Sequence, residues 1–128
     1  MIRHNTVNSS GALGTDLVDG LAGLGSANRH IIAVYYTPAM LDATDGSNYG
    51  FDISSRFYAY RNQDELIDVA AVQFATKLAT DGSNILEMQK PIRIPLDLEI
   101  KVGESFQVGY FNGVAASSEI TIEYEDRT

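Results

Sequence analysis

Ile92, Ile94, Leu96, Leu98, Ile100 and Val102 occupy consecutive even positions, with Arg93, Asp97, Glu99 and Lys101 between them. An apolar residue at every second place is the period of an extended strand, whose side chains point alternately to the two faces of a sheet. The same pattern returns near the end of the chain, where Ile120, Ile122 and Tyr124 alternate with Glu119, Thr121, Glu123 and Glu125. Each run therefore has one face for a core and one for water. Pro91 and Pro95 lack an amide donor, so the first run must start on a sheet edge or break near Pro95. Phe106, Val108 and Tyr110 continue the even face beyond Gly103, Glu104 and Ser105. If the two runs form a hairpin, their apolar faces coincide only when Val102 opposes Phe106 across a three-residue loop.

Other segments also read as strands. Ile31 to Thr37 is β-branched and aromatic on both faces, as expected of a strand covered on two sides. Phe51, Ile53, Phe57 and Ala59 form an odd-numbered apolar face, and the run predicts one long strand ending at the turn-like Asn62, Gln63 and Asp64. Residues 64–79 carry competing signals. Asn62 can cap a helix, Asp64 and Glu65 suit its first turn and Lys77 its last. Yet the apolar residues surround the helical wheel, which demands complete burial, whereas Val72, Phe74, Thr76 and Leu78 alternate with Gln73, Ala75 and Lys77. Strand is the preferred reading. The hexapeptide ATDGSN occurs at 43–48 and again at 79–84. Its Asp-Gly step favours a tight turn, because glycine takes positive φ without steric cost. The two copies predict two strand-loop-strand units and are too few for a solenoid.

At 128 residues the chain fits one domain. Nine Lys and Arg against 17 Asp and Glu, a net charge of -8, argue against a nucleic-acid partner, whose phosphates require clustered cations, and against attachment to an anionic membrane surface. The absence of Cys excludes disulfides and thiolate chemistry. No apolar run is long enough for a membrane-spanning helix, and polar Met1 to Ser10 predicts no Sec signal peptide. Two histidines, His4 and His30, leave little for nucleophilic catalysis, and His30 suits a surface or interface. The glycine-rich Gly11 to Gly25 does not follow a strand and lacks the Lys-Ser/Thr ending of a phosphate loop. A non-enzyme without cofactors is expected. Asp42, Asp45, Asn48 and Asp52 offer oxygen ligands of the kind calcium takes. Their spacing is not that of an EF-hand, and ordinary turn hydrogen bonding is preferred. Tyr35, Tyr36, Tyr49, Tyr58 and Tyr60 fit core packing or cross-strand pairs first, and a wet interface or sugar platform second.

Five glycines between Gly11 and Gly25 accompany Leu13, Leu17, Leu21 and Leu24, which would share one face of a helix. Glycine costs about 1 kcal/mol relative to alanine within a helix, so the segment cannot hold one alone. It reads either as a loose tail or as an arm whose leucines order on a partner. The predicted organisation is an arm over 1–28 and a sandwich over 29–128.

With its glycine-rich start and the runs PIRIPLDLEIKVGESFQVGYFN and SEITIEYE, the chain resembles the small β-sandwich or jelly-roll accessory proteins of viruses, including capsid decoration and head-fibre proteins. That resemblance is one of pattern, over about 29 to 128. It implies a non-enzymatic structural protein of the virion, often trimeric, that sits on a capsid lattice with an arm on neighbouring subunits. The expectation is thus an all-β antiparallel sandwich, jelly-roll-like, with a flexible N-terminal arm, which forms a homo-oligomer and docks on a larger protein assembly. A carbohydrate-binding sandwich using the tyrosines and Asp-Gly loops is the alternative.

Overall fold

The computed structural model describes residues 1–8, 14–21, 27–37, 39–40, 49–52, 55–70, 73, 77–78, 85–87, 92–112 and 119–127. Twelve strands lie among them: β1 (Ile2–Asn8), β2 (Gly14–Asp19), β3 (Asn28–Thr37), β4 (Ala39–Met40), β5 (Tyr49–Asp52), β6 (Arg56–Arg61), β7 (Asp64–Ala70), β8 (Lys77–Leu78), β9 (Ile85–Glu87), β10 (Ile92–Ile100), β11 (Phe106–Asn112) and β12 (Glu119–Arg127). Two four-stranded antiparallel sheets, β1-β12-β3-β10 and β2-β11-β6-β7, form an all-β sandwich. Counted in chain order, these eight longer strands read 1-8-3-6 and 2-7-4-5, the jelly-roll arrangement of two Greek keys. The four short strands make a third sheet, β4-β5-β9-β8.

Antiparallel alternation brings Gly20 and Leu21 after β2, the turn at 62–63 and the connection at 101–105 to one end of the sandwich. Backbone bonds tie them together there: Gly20 N–H donates to Phe106 O at 2.8 Å and Asn62 N–H to Ser105 O at 2.9 Å. Gly20 is buried. A Cβ on it would stand 3.1 Å from the Phe106 ring and 3.2 Å from Ile122 Cδ1, so any larger residue requires those side chains to give way by a few tenths of an ångström. The β4–β5 and β8–β9 pairings flank 41–48 and 79–84, so both ATDGSN copies separate paired strands, as the repeat predicts. The hexapeptides themselves lie outside the described residues.

The core is aromatic at its centre. Tyr36 of one sheet stacks on Phe57 of the other at 4.5 Å between ring centroids, and Tyr110 meets both edge-on at 5.6 and 5.7 Å. Ile31, Val34, Ile120 and Ile122 face Ala59, Phe106 and Val108 around them, all fully buried. The Tyr36 hydroxyl donates to Tyr58 O at 2.8 Å and the Tyr110 hydroxyl to Glu119 O at 3.1 Å. Two buried phenols are thereby satisfied across the sandwich.

Several expectations hold in the strands themselves. β12 buries Ile120, Ile122 and Tyr124, as its alternation requires. β10 is an edge strand and slips register between Pro95 and Leu98, consistent with its prolines. Residues 64–70 and 77–78 are strand, and Asn62 turns the chain at φ 54°. The alternating residues 72, 74 and 76 lie outside the described residues.

Other expectations are corrected. β10 and β11 are not a hairpin, because they belong to different sheets: β10 pairs with β3, and β11 with β2 and β6. Facing sheets demand the same inward parity as a hairpin would, so the pattern could not separate the two. Val102, at 60% exposure, lies outside the core. The predicted strand over 51–60 is two, β5 in the third sheet and β6 in the sandwich. β3 is apolar on both faces for another reason than double cover. Its pairing with β12 slips at Ile32, so the inward positions change from 29 and 31 to 34 and 36. Within the segment expected as an arm, Ile2–Asn8 and Gly14–Asp19 are strands at the edges of the two sheets.

Candidate interaction surfaces

The sandwich has two unlike sides. On one, edge strands β10 and β7 obstruct further pairing. β10 carries Pro95 and a bulge at which Asp97 adopts a left-handed φ of 68°. β7 exposes Asp64, Glu65 and Asp68. Prolines, bulges and charges are the usual protection of a sheet edge. On the other side, β1 pairs with β12 over all seven of its residues. No described strand pairs with its outer edge, and it contains neither proline nor register shift. Beside it lies β2, held to the other sheet by β11. The Asn5 amide joins the two edges by donating to Gly20 O at 3.0 Å.

The outer face of the β1-β12-β3-β10 sheet is polar. Glu123 stands at its centre with only 14% of its side chain exposed. Arg93 Nη2 donates to Glu123 Oε1 at 3.3 Å, and Arg93 Nε to the Tyr35 hydroxyl at 3.1 Å. From the other side His4 Nε2 lies 3.4 Å from Glu123 Oε2. The bonds to Tyr35, and secondarily to Glu123, raise the pKa of the Arg93 guanidinium, so it stays charged. Thr6 and Thr121 share a hydroxyl bond of 2.9 Å. His4, Tyr35, Thr37 and Thr121 line a shallow depression of about 270 Å³. A carboxylate, a guanidinium, a phenol ring and hydroxyls on a rigid sheet can hydrogen-bond a polyhydroxylated ligand and stack on its ring.

A third surface lies where 101–105 crosses between the sheets. Leu21, Ala27, Arg29, Ile100 and Val102 line a hollow of about 280 Å³. Glu104 shapes its rim by accepting from Lys101 N–H at 2.8 Å, and Gly103 makes the turn at φ 91°. Arg29 is the buried charged residue among the described ones, with 7% of its side chain exposed. Its Nη1 donates to Ala27 O at 2.9 Å, and its guanidinium lies 5.9 Å from the centre of the Tyr124 ring. Its Nε is 3.2 Å from Asp126 Oδ1 but is not aligned for a hydrogen bond, so that contact is Coulombic. Asp126 also reaches Arg3 at 3.8 Å.

Of the four leucines expected to contact a partner, Leu17 lies opposite Gly109, half-buried on the outward side of its sheet, and Leu21 packs against the core. With Leu17 in β2 and Leu21 in the turn that follows it, the two do not share a helical face. Leu13 and Leu24 lie outside the described residues. Of the possible calcium ligands, Asp42, Asp45 and Asn48 also lie outside them, and Asp52 is in β5. His30 sits with Nε2 2.8 Å from Asp97 Oδ1 at the surface. Among the tyrosines, Tyr36 is core and Tyr35 belongs to the polar face, while Tyr58 and Tyr60 are neighbours on the opposite sheet at 6.1 Å. The edge asymmetry went unread in the sequence, since it depends on which strands end up outermost.

No protein-family model matches this sequence, and no curated protein does. Among solved structures, the chain is similar to the nucleoplasmin-like N-terminal domain of Drosophila FKBP39, with a TM-score of 0.44 and 12% identity over 100% of this chain and 92% of that one. It is also similar to an exo-beta-1,3-galactanase from Phanerochaete chrysosporium, solved with galactose, with a TM-score of 0.36 and 16% identity over 94% of this chain. The chain spans 26% of that enzyme's length. Likenesses of this size assign neither a function nor a family, and what the chain does must be argued from its own surfaces.

Proposed function

We propose that this chain is a non-enzymatic structural protein that self-associates and docks on a larger protein assembly, as a capsid decoration or minor virion protein does. The observation that carries this reading is the edge asymmetry. One side of the sandwich is obstructed by Pro95, the Asp97 bulge and the three acids of β7, while β1 presents a regular edge of seven residues with neither proline nor bulge, Arg3 being its one permanent charge. A protein that lives as a monomer is expected to obstruct both sides alike, and a closed oligomer keeps the side it uses regular enough to pair. The jelly-roll order alone does not choose, because capsid and lectin domains both use it. Light scattering of the full chain over a wide concentration series is expected to show a discrete oligomer. A mass that stays monomeric throughout rejects the reading.

The polar outer face around Glu123 favours a second reading, a carbohydrate-binding module. If it holds, a glycan array gives hits that Tyr35→Ala abolishes. An array blank for the wild-type chain removes it.

A further inference from the structure

We infer that the regular, proline-free edge of β1 pairs with β1 of a second copy, antiparallel about a two-fold axis through Asn5, so that two four-stranded sheets join into one of eight. This inference rests on the self-association proposed above and assigns it an interface and a symmetry. The backbone chemistry of an open edge calls for an extended strand, whose N–H and C=O groups complete the ladder.

That the strand is a second copy follows from the sequence of β1 itself. Residues directly opposite in a sheet must share a face. In β1, Arg3, Asn5 and Val7 lie opposite Tyr124, Ile122 and Ile120 on the core side, and Ile2, His4, Thr6 and Asn8 lie on the outer side. Self-pairing therefore keeps the faces continuous only when paired residue numbers have an even sum. Centring on Asn5 matches Ile2 with Asn8, Arg3 with Val7, and His4 with Thr6, and it uses all seven residues. It also places Arg3 opposite the neutral side chain of Val7. Centring on either His4 or Thr6 leaves part of the strand unpaired. The strand is therefore self-complementary over its full length in one register.

The test reads charge across the axis. His4 and Thr6 are both exposed, and a lysine at 4 can donate to Glu123 as the imidazole Nε2 at 3.4 Å is placed to do. In the double variant His4→Lys with Thr6→Lys, each lysine at 4 faces the partner's lysine at 6, twice per dimer. Sedimentation equilibrium on the full chain is expected to show association weakened about tenfold or more. In His4→Lys with Thr6→Glu the same positions attract, and association is expected to equal or exceed that of the wild type. Circular dichroism establishes that each variant is folded, and the attracting pair remains decisive if the repelling one is not. If the wild type associates and folded variants follow it without difference, the interface lies elsewhere: this inference falls and the proposed function stands. A wild type that remains monomeric overturns both.

Discussion

Tyr36→Ala is expected to cost about 3 to 5 kcal/mol of stability, the range for emptying a large buried aromatic site. Tyr36 is fully buried, stacks on Phe57 across the sandwich and meets the edge of Tyr110. Its removal opens a cavity between two sheets whose backbones are held in ladders and can collapse little. Tyr36→Phe keeps the ring and loses the bond to Tyr58 O, at a cost of about 1 kcal/mol. The hydroxyl also gives a pH signature. Burial raises the Tyr36 pKa above its ordinary value of 10.0. The protonated form is the one the fold accepts, so its contribution is complete below the unfolded pKa of about 10 and is lost as pH rises beyond it. Alkaline unfolding of the wild type should therefore fall more steeply than that of Tyr36→Phe. Tyr60 is raised in the same direction, first by desolvation and then by Glu65, so a shallower slope should persist in the variant. Urea midpoints between pH 8 and pH 11 measure both effects, and parallel curves would show that Tyr36 does not carry the linkage.

Asp126→Ala is expected to cost about 2 kcal/mol, more than an exposed ion pair is worth, because it strands a buried guanidinium. Arg29 has 7% of its side chain exposed and Asp126 36%, so the loss falls short of that for a wholly buried pair. The asymmetry between partners is the sharper expectation. Arg29→Met removes the charge that needs compensation and supplies apolar bulk against Tyr124, while Asp126 can turn to water or to Arg3. It should cost clearly less than Asp126→Ala, or nothing. Equal losses in the two variants, measured by urea melts, would mean that the pair acts as an ordinary surface contact.

The parts of the fold legible in the sequence are those in which one strand meets one core. β12 and β10 showed their inward residues, their outward charges and the edge position of a strand containing Pro95. The Asn62 turn and the hairpin setting of the ATDGSN copies were legible because turn chemistry is local. The N-terminal strands were not. β2 offers one inward valine, Val18, among polar and glycine residues, and β1 alternates Arg3, Asn5 and Val7 on its inner side. Edge strands bury little, so they need little apolar pattern, and glycine density dominated the reading. The candidate surfaces were less legible still. His4 and Arg93 are 89 residues apart in sequence and reach the same Glu123 only because β1, β12, β3 and β10 lie side by side.

By itself the sequence determined that the chain is built of strands, which residues of most of those strands face inward, and that the outward faces carry the acids. These are consequences of a period-two repeat, which every residue reports through its nearest neighbours. Only the tertiary structure decided which strand lies beside which: β10 and β11 in opposite sheets, β5 and β6 in different ones, β1 and β2 as the outermost pair on one side. Any partner that presents an apolar face satisfies the same alternation, so parity is silent on pairing. The choice among partners was made by contacts distant in the chain, such as Tyr36 on Phe57 and Gly20 against Phe106, where side-chain volumes on both sheets must fit at once.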